Sequence, residues 1–192
     1  METIWKRERK TLTDPLFFDT DCLSAFLWVG EEGLLHKLYP LRLILPTPVY
    51  TELSFDNPRI RALRNRIDIM INNKQFIKKD IMVGTDEYEL YNRLTTQPED
   101  NHTIIGKGEA AAIALAKTNG GIVASNNLSD VLAYTQEFAL QHTTTGMIMV
   151  EAFQQQLISE TEGTSIWASM LQKKRKLGAL TFSDYLSCHS HS

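Results

Sequence analysis

Short apolar runs of strand length alternate along the chain with longer segments whose apolar residues recur at helical spacing. The first run, Leu16–Phe18, is followed by an apolar, helix-compatible segment over residues 23–29 and a leucine-lined helical pattern over 31–39. Further strands are predicted at 41–45, 76–83, 122–124 and 141–145, and further helices at 48–53, 57–72, 86–94, 106–119, 131–140, 147–158 and 164–176. This alternation predicts a mostly parallel sheet with right-handed crossovers, whose strands all end at one edge.

Length and composition favour a single α/β domain. The chain has 192 residues, of which 43% are hydrophobic and 22% are charged, as in an ordinary globular protein. No internal repeat and no linker rich in proline or glycine interrupts it. We predict a basic, flexible tail over residues 1–13, one domain over 14–180 and a C-terminal tail over 181–192.

The charge balance limits how the protein can attract nucleic acid. The net charge of -3 excludes a strong overall positive field, although a local basic rim remains compatible with it. Two basic clusters stand out, and each is either a solvated face or a phosphate-binding surface. They are the arginines of helix 57–72 (Arg59, Arg61, Arg64 and Arg66) and the run at residues 173–176.

Cysteine usage and hydropathy bear on location. The two cysteines, Cys22 and Cys188, form neither a disulfide framework nor a zinc spacing, and we interpret Cys22 as a small buried residue. No apolar run reaches the roughly 18 residues that span a bilayer, and residues 1–13 lack the apolar centre of a signal peptide. We therefore expect a cytoplasmic protein with no membrane partner.

Acidic residues follow several of the predicted strands. Asp19 and Asp21 come directly after the first strand, where carboxylates serve no packing role because burying them is costly. Glu52 and Asp130 follow later strand ends, and Glu109 begins the alanine-rich helix after Gly108. The sheet topology predicts that these acids converge. The alternative for Asp19 is that it only caps the next helix.

A cluster of carboxylates indicates metal chemistry. Two like charges about 4 Å apart repel by roughly 4 kcal/mol at an effective dielectric of 20, so protons or divalent cations must neutralise the cluster. Oxygen ligands suit Mg²⁺ or Mn²⁺ rather than Zn²⁺. Such an ion activates water and stabilises charge on a phosphate that is being cleaved.

Four motifs in this order resemble those of PIN-domain proteins. The resemblance covers residues 16–157 and includes a threonine-rich strand that leads through Gly146 into an amphipathic helix. The motifs are Phe18-Asp19-Thr20, Val49-Tyr50-Thr51-Glu52-Leu53, the segment from Gly108-Glu109 to Ala116, and Ser125-Asn126-Asn127-Leu128-Ser129-Asp130. The resemblance implies a three-layer α/β/α sandwich around a mostly parallel sheet. It also implies a Mg²⁺- or Mn²⁺-dependent ribonuclease that acts on RNA. Many such proteins are toxins inhibited by a small antitoxin protein, and many are homodimers.

The resemblance assigns roles to individual residues. Asp19 would be the central metal ligand, with Glu109 and Asp130 as further ligands and Glu52 as another catalytic acid that orients water or a second ion. As candidate substrate contacts we name the polar or basic residues Thr20, Asn127, Arg59 and Arg64.

The fourth motif departs from the most acidic members of the family. Asn126 and Asn127 stand where an aspartate pair often occurs, although Asn127 and Asp130 match members with Asn followed three residues later by Asp. Because amides carry no net charge, we expect a second metal to bind more weakly. The role of Asp21 stays open.

Two other functions compete with the ribonuclease. A PIN-like binding or scaffold module, catalytically weak or inactive, would follow from the missing aspartates. A haloacid-dehalogenase-type phosphatase would use Asp19 of the Asp19-Thr20-Asp21 sequence as a nucleophile. Against the phosphatase, Leu23 stands where Thr or Val is usual, and paired aspartates are absent from the last third of the chain.

Overall fold

The protein has a five-stranded, all-parallel sheet at its centre. A computed structural model describes residues 14–53, 58–98 and 103–189. The strands are β1 (Leu16–Phe18), β2 (Leu43–Pro46), β3 (Ile77–Lys79), β4 (Ile122–Ala124) and β5 (Gln141–Thr143), in the spatial order β3-β2-β1-β4-β5. This topology confirms the predicted α/β class and places the first strand in the middle of the sheet.

Strand register brings the strand ends together. In β1, Leu16 pairs with Leu43 of β2 and with Ile122 of β4, and Phe18 pairs with Ala124. The side chains of β1 are all buried, as expected for a central parallel strand that is covered on both faces. Residues that follow β1 and β4 therefore leave the same edge of the sheet side by side.

Helices cover both faces of the sheet. Alternate residues of β1 separate the two cores, since Leu16 and Phe18 pack in the larger cluster and Phe17 packs in the smaller one. The helices are α1 (Thr20–Val29), α2 (Glu32–Leu38), α3 (Thr47–Glu52), α4 (Pro58–Asn72), α5 (Asp86–Thr96), α6 (Lys107–Asn119), α7 (Leu128–Glu137), α8 (Thr145–Gln154), α9 (Glu160–Gln172) and α10 (Phe182–His189). This is the predicted three-layer sandwich.

Helix α6 lies directly against the sheet. Its residues from Ala110 to Ala116 are fully buried, and most of them are alanines whose small side chains allow close approach. Gly120 follows the helix with a φ of 67°, a conformation that favours glycine. The close packing holds the beginning of α6, which carries Glu109, against the elements that follow β1 and β2.

Several helices begin earlier than the apolar pattern predicted. Helix α7 starts at Leu128 rather than at 131, α8 starts at Thr145 rather than at 147, and α9 spans 160–172 rather than 164–176. Polar residues contribute to these first turns, and Thr144 caps α8 while Ser159 caps α9 through a capping box. The spacing of apolar residues gives no signal for a first turn that contains polar residues.

The predicted C-terminal tail is wrong for most of its length. Residues 182–189 form α10, and Phe182, Tyr185 and Leu186 are buried in the larger core. The indole of Trp167 packs against the Phe182 ring with centroids 5.6 Å apart. The domain therefore continues past residue 180, while the predicted tail at 1–13 and residues 190–192 lie outside the described residues.

Two expectations about single features can be compared directly. Cys22 is fully buried, as predicted. The sequence also favours Thr47 as the N-cap of the helix at 48–53, whereas in the structure Pro46 is the N-cap of α3 and Thr47 is its first helical residue. In the part of the chain that the structure describes, every helix is too short or too polar to cross a membrane.

Candidate metal and active site

Asp19 lies at the centre of the edge where the strands end. It follows β1, and its backbone N–H donates to the carbonyl of Ala124 at 2.9 Å, which ties it to β4. Its carboxylate Oδ1 caps α1 by accepting the N–H of Cys22 at 2.7 Å. The side chain is fully buried, and Oδ2 has no hydrogen-bond partner among the described residues. Helix capping thus accounts for one oxygen of Asp19 and leaves the other unexplained.

The environment of Asp19 disfavours its negative charge. Burial, together with smaller contributions from the nearby carboxylates of Glu109 and Asp21, raises the pKa of the carboxyl from 3.8 to about 8. The Ser125 hydroxyl and the Cys22 N–H oppose the shift without cancelling it. A buried acid of this kind needs a proton or a cation.

Glu52 reaches the site through Thr20. The Thr20 hydroxyl, in the first turn of α1, donates a hydrogen bond to the Glu52 carboxylate at the end of α3. Gly108 of α6 makes room for this contact, because a Cβ at that position would lie 2.9 Å from Thr20 Oγ1 and 3.3 Å from Glu52 Oε2. In the sequence Gly108 stands out only as the residue before Glu109 at the beginning of the alanine-rich helix, whereas the structure gives it a packing role at the site.

Asn127 joins two of the predicted acids. Its side-chain Nδ2 donates to Asp130 Oδ2 at 2.8 Å and to Glu109 Oε1 at 3.3 Å. The Ser129 hydroxyl lies 2.8 Å from Asn127 Oδ1 and 3.0 Å from Asp130 Oδ1 and can donate its one proton to either, which completes a small network after β4. Asn127 therefore orients Glu109 and Asp130 with respect to each other.

Asp21 has polar partners on both of its oxygens. Arg175 Nη1 lies 3.0 Å from Oδ1, and Asn126 Nδ2 donates to Oδ2 at 3.3 Å. Asn126 is held in turn by Thr145, whose backbone N–H donates to its Oδ1 at 2.8 Å. Asp21 is thus engaged by an arginine that follows α9, a contact that no local sequence pattern indicated.

Of the two arginines predicted to contact the substrate, only Arg64 has a side chain in the described part of the structure. Arg64 pairs with Asp68 at 3.0 Å, and its guanidinium carbon lies 3.4 Å from the ring centroid of Tyr50. Arg66 pairs with Glu32 at 2.8 Å. These contacts favour the interpretation of helix α4 as a structural and partly solvated face. The side chain of Arg59 lies outside the described part of the structure.

The donor chemistry at this edge fits a hard divalent cation. It offers the unpaired oxygen of Asp19 and the carboxylates of Glu109 and Asp130, all of which are oxygen ligands. Within residues 14–53, 58–98 and 103–189, however, no three His, Cys, Asp or Glu side chains lie close enough together to hold a metal ion. Glu109 lies near Asp19, whereas Asp130 is linked to Glu109 through the amide of Asn127.

Comparison with protein families identifies the class. A family model described as a PIN domain matches residues 16–188. The chain therefore belongs to the PIN-domain family, whose fold is of the nuclease type and whose members typically use divalent metals. Comparisons with curated proteins and with solved structures found no match.

Proposed function

We propose that the protein is a metal-dependent endoribonuclease that hydrolyses phosphodiester bonds in RNA. The observation that carries this proposal is the fully buried Asp19, which has one oxygen without a partner at the carboxyl edge of the sheet. Membership of a nuclease-type family supports the same conclusion. A protein that needed Asp19 only as a helix cap would gain nothing from the second buried oxygen.

Asp19, Glu109 and Asp130 would supply the ligands of Mg²⁺ or Mn²⁺, and the ion would have to draw these three carboxylates closer together than they lie in the described residues. When bound, the ion would supply an activated water and neutralise charge on the phosphate. Asn127 orients Glu109 and Asp130 through its two hydrogen bonds. Because the Asn127 amide bears no charge, the site attracts a second cation less strongly than an aspartate would.

Glu52 has a separate role in the proposal. Its carboxylate accepts a hydrogen bond from Thr20, which immediately follows Asp19. This bond fixes Glu52 beside the metal site, where it orients water towards the phosphate. Thr20 is therefore a positioning residue in this proposal, and its contact with the substrate stays a prediction.

Cleavage of single-stranded and structured RNA with Mn²⁺, Mg²⁺ or EDTA tests the function. Asp19→Asn keeps the capping oxygen and removes the charge, while Asp184→Asn alters an exposed carboxylate on α10 and serves as the matched control. We expect metal-dependent cleavage by the wild type and the control and at least a hundredfold loss in Asp19→Asn, on the order of one essential charged group. Equal cleavage by all three proteins would refute the assignment.

A binding or scaffold module is the second candidate. The amides Asn126 and Asn127, together with the lack of a three-acid metal cluster in the described ranges, favour it. Calorimetric titration with Mn²⁺ separates the two functions, because a scaffold without a metal site would show no binding in the millimolar range. The match to a PIN-domain family favours both candidates over the phosphatase.

The proposal extends to the physiological role. As the toxin of a toxin–antitoxin pair, the protein would be inhibited by a small partner protein and would form a homodimer. Growth arrest on expression of the wild type, absent with Asp19→Asn at equal protein levels, is the expected result. Unimpaired growth with active enzyme present would count against the toxin role.

A further inference from the structure

A basic turn follows helix α9 beside the acidic site. This C-terminal basic turn comprises Lys173, Lys174, Arg175 and Lys176. The three lysines are exposed, and Arg175 is partly buried. Such a run is ordinarily a solvated surface, so a second observation is needed before it can be called a binding site.

The backbone of the turn is fixed. The N–H of Lys174 donates to the carbonyl of Leu171 at 2.8 Å, and the N–H of Arg175 donates to that of Met170 at 3.1 Å. Met170 is fully buried before the turn, and Leu177 is buried after it. Lys174 adopts a positive φ of 60°, so the chain reverses sharply instead of continuing the helix. These hydrogen bonds fix the backbone positions from which the four side chains extend.

Arg175 connects this turn to the site. Its Nη1 lies 3.0 Å from Asp21 Oδ1 and 3.3 Å from the hydroxyl of Ser24, while its Nε donates to the carbonyl of Lys173 at 3.1 Å. Asp21 is two residues from Asp19 on the first turn of α1. The contact therefore places the basic turn at the border of the proposed metal site.

Arg175 also has hydrogen-bonding capacity left. A guanidinium carries five N–H donors, and Nη2 of Arg175 has no partner among the described residues. The three lysines make no ion pair within the same part of the chain. The three lysines are therefore not neutralised by described protein groups, and Arg175 keeps the donors of Nη2 beside its ion pair with Asp21, so that both can reach phosphate oxygens.

We propose that the C-terminal basic turn binds backbone phosphates of single-stranded RNA next to the bond that is cleaved, with Arg175 anchored on Asp21. The inference rests on the proposed ribonuclease function and names the surface that holds its substrate. It also gives Asp21 a role as the anchor of this surface rather than as a metal ligand. A protein of net charge -3 needs such a local cationic surface, because its overall field does not attract RNA.

Binding can be measured without cleavage. A fluorescently labelled oligouridine is titrated with full-length protein in EDTA at several salt concentrations, and binding is followed by anisotropy. The test variant is Lys173→Gln/Lys174→Gln/Lys176→Gln. The matched control is Lys37→Gln/Lys74→Gln/Lys117→Gln, which removes three exposed lysines from other parts of the chain.

We expect the test variant to lose affinity and salt dependence while the control keeps both. Each neutralised phosphate of a single strand contributes about 0.7 to the slope of log K against log salt, so three lysines contribute about 2. At about 0.1 M salt this corresponds to an affinity loss of roughly 100-fold. Equal affinity and slope in the test variant and the wild type would overturn the inference, as would a wild type that does not bind RNA.

A second pair of variants tests the anchor. Arg175→Lys keeps the charge, and Arg175→Gln removes it, so the lysine variant should retain more affinity than the glutamine variant when both show wild-type thermal unfolding. Identical affinity in Arg175→Gln and the wild type would overturn the role of Arg175. If either Arg175 variant has a lower unfolding temperature than the wild type, the triple lysine variant alone tests RNA binding by the turn, because its substituted side chains are exposed.

Failure of this inference and failure of the proposed function give different results. Normal metal-dependent cleavage, together with RNA binding that does not depend on the basic turn, would refute the RNA-binding role of the turn but not the ribonuclease function. RNA binding that depends on the turn, without metal-dependent cleavage, would refute the ribonuclease function and support the RNA-binding role of the turn.

Discussion

Replacing Asp19 by asparagine should stabilise the metal-free protein. In the folded protein the pKa of Asp19 is raised from 3.8 to about 8, mainly by burial. Because the pKa of Asp19 is higher in the folded than in the unfolded protein, the free energy of unfolding is unaffected by this group below pH 3.8. It then falls progressively as the pH rises to about 8. The asparagine side chain keeps the capping oxygen and has no charge to bury.

The magnitude follows from the pKa difference. About three pKa units separate the ordinary value of 3.8 from pH 7, and each unit corresponds to about 1.36 kcal/mol. Asp19→Asn should therefore raise the free energy of unfolding by about 4 kcal/mol at pH 7 in EDTA. The difference should fall towards zero near pH 4 and level off above pH 8.

Metal should narrow this stability difference by stabilising only the wild type. A ligand that binds only the folded state at 100 times its dissociation constant stabilises by about 2.7 kcal/mol. Mn²⁺ should raise the melting temperature of the wild type and leave that of Asp19→Asn nearly unchanged.

Chemical denaturation across pH 4 to 9, with EDTA or Mn²⁺, measures both effects, and Asp184→Asn is the control. An Asp19→Asn protein that is less stable than the wild type at pH 7 in EDTA would refute the reasoning. A stability difference that does not vary with pH would refute it as well.

Three further substitutions probe the site and its support. Gly108→Ala should displace the Thr20 hydroxyl, which would lie 2.9 Å from the new Cβ; we expect loss of cleavage with a cost of about 1–3 kcal/mol in denaturant unfolding, and retained activity would argue against the contact. Asn127→Asp adds a charge beside Glu109, so calorimetry should show tighter Mn²⁺ binding while the metal-free protein loses about 1–4 kcal/mol; unchanged Mn²⁺ affinity would contradict the assignment. Phe182→Ala removes a fully buried ring, and a thermal or denaturant unfolding cost below the expected range of about 3–5 kcal/mol would show that α10 is not integral to the domain.

Sequence patterns were sufficient for most of the architecture. Strand positions, the parallel sheet and the placement of acids after β1 and β4 all follow from apolar runs and their polar ends. Helix α10 was missed because its short polar sequence resembles a tail, although Phe182, Tyr185 and Leu186 recur at helical spacing. That spacing was the available signal.

Local patterns could not reveal contacts between distant segments. Arg175 and Asp21 are 154 residues apart, and Thr20 and Glu52 are 32 apart. Such pairs depend on strand order, helix packing and side-chain direction together. Ser125 was overlooked as a neighbour of Asp19 for the same reason, since it is one of several polar residues after β4 and only its burial distinguishes it.

The sequence by itself determined the fold class and which acids leave the sheet at its carboxyl edge, because side-chain periodicity and turn chemistry act over a few residues. Only the tertiary structure decided the state of those acids. Burial gives Asp19 its raised pKa and its unpaired oxygen, the amide of Asn127 joins Glu109 to Asp130, and Arg175 engages Asp21. These properties depend on exclusion of water and on distances between side chains, which are set when the helices pack on the sheet.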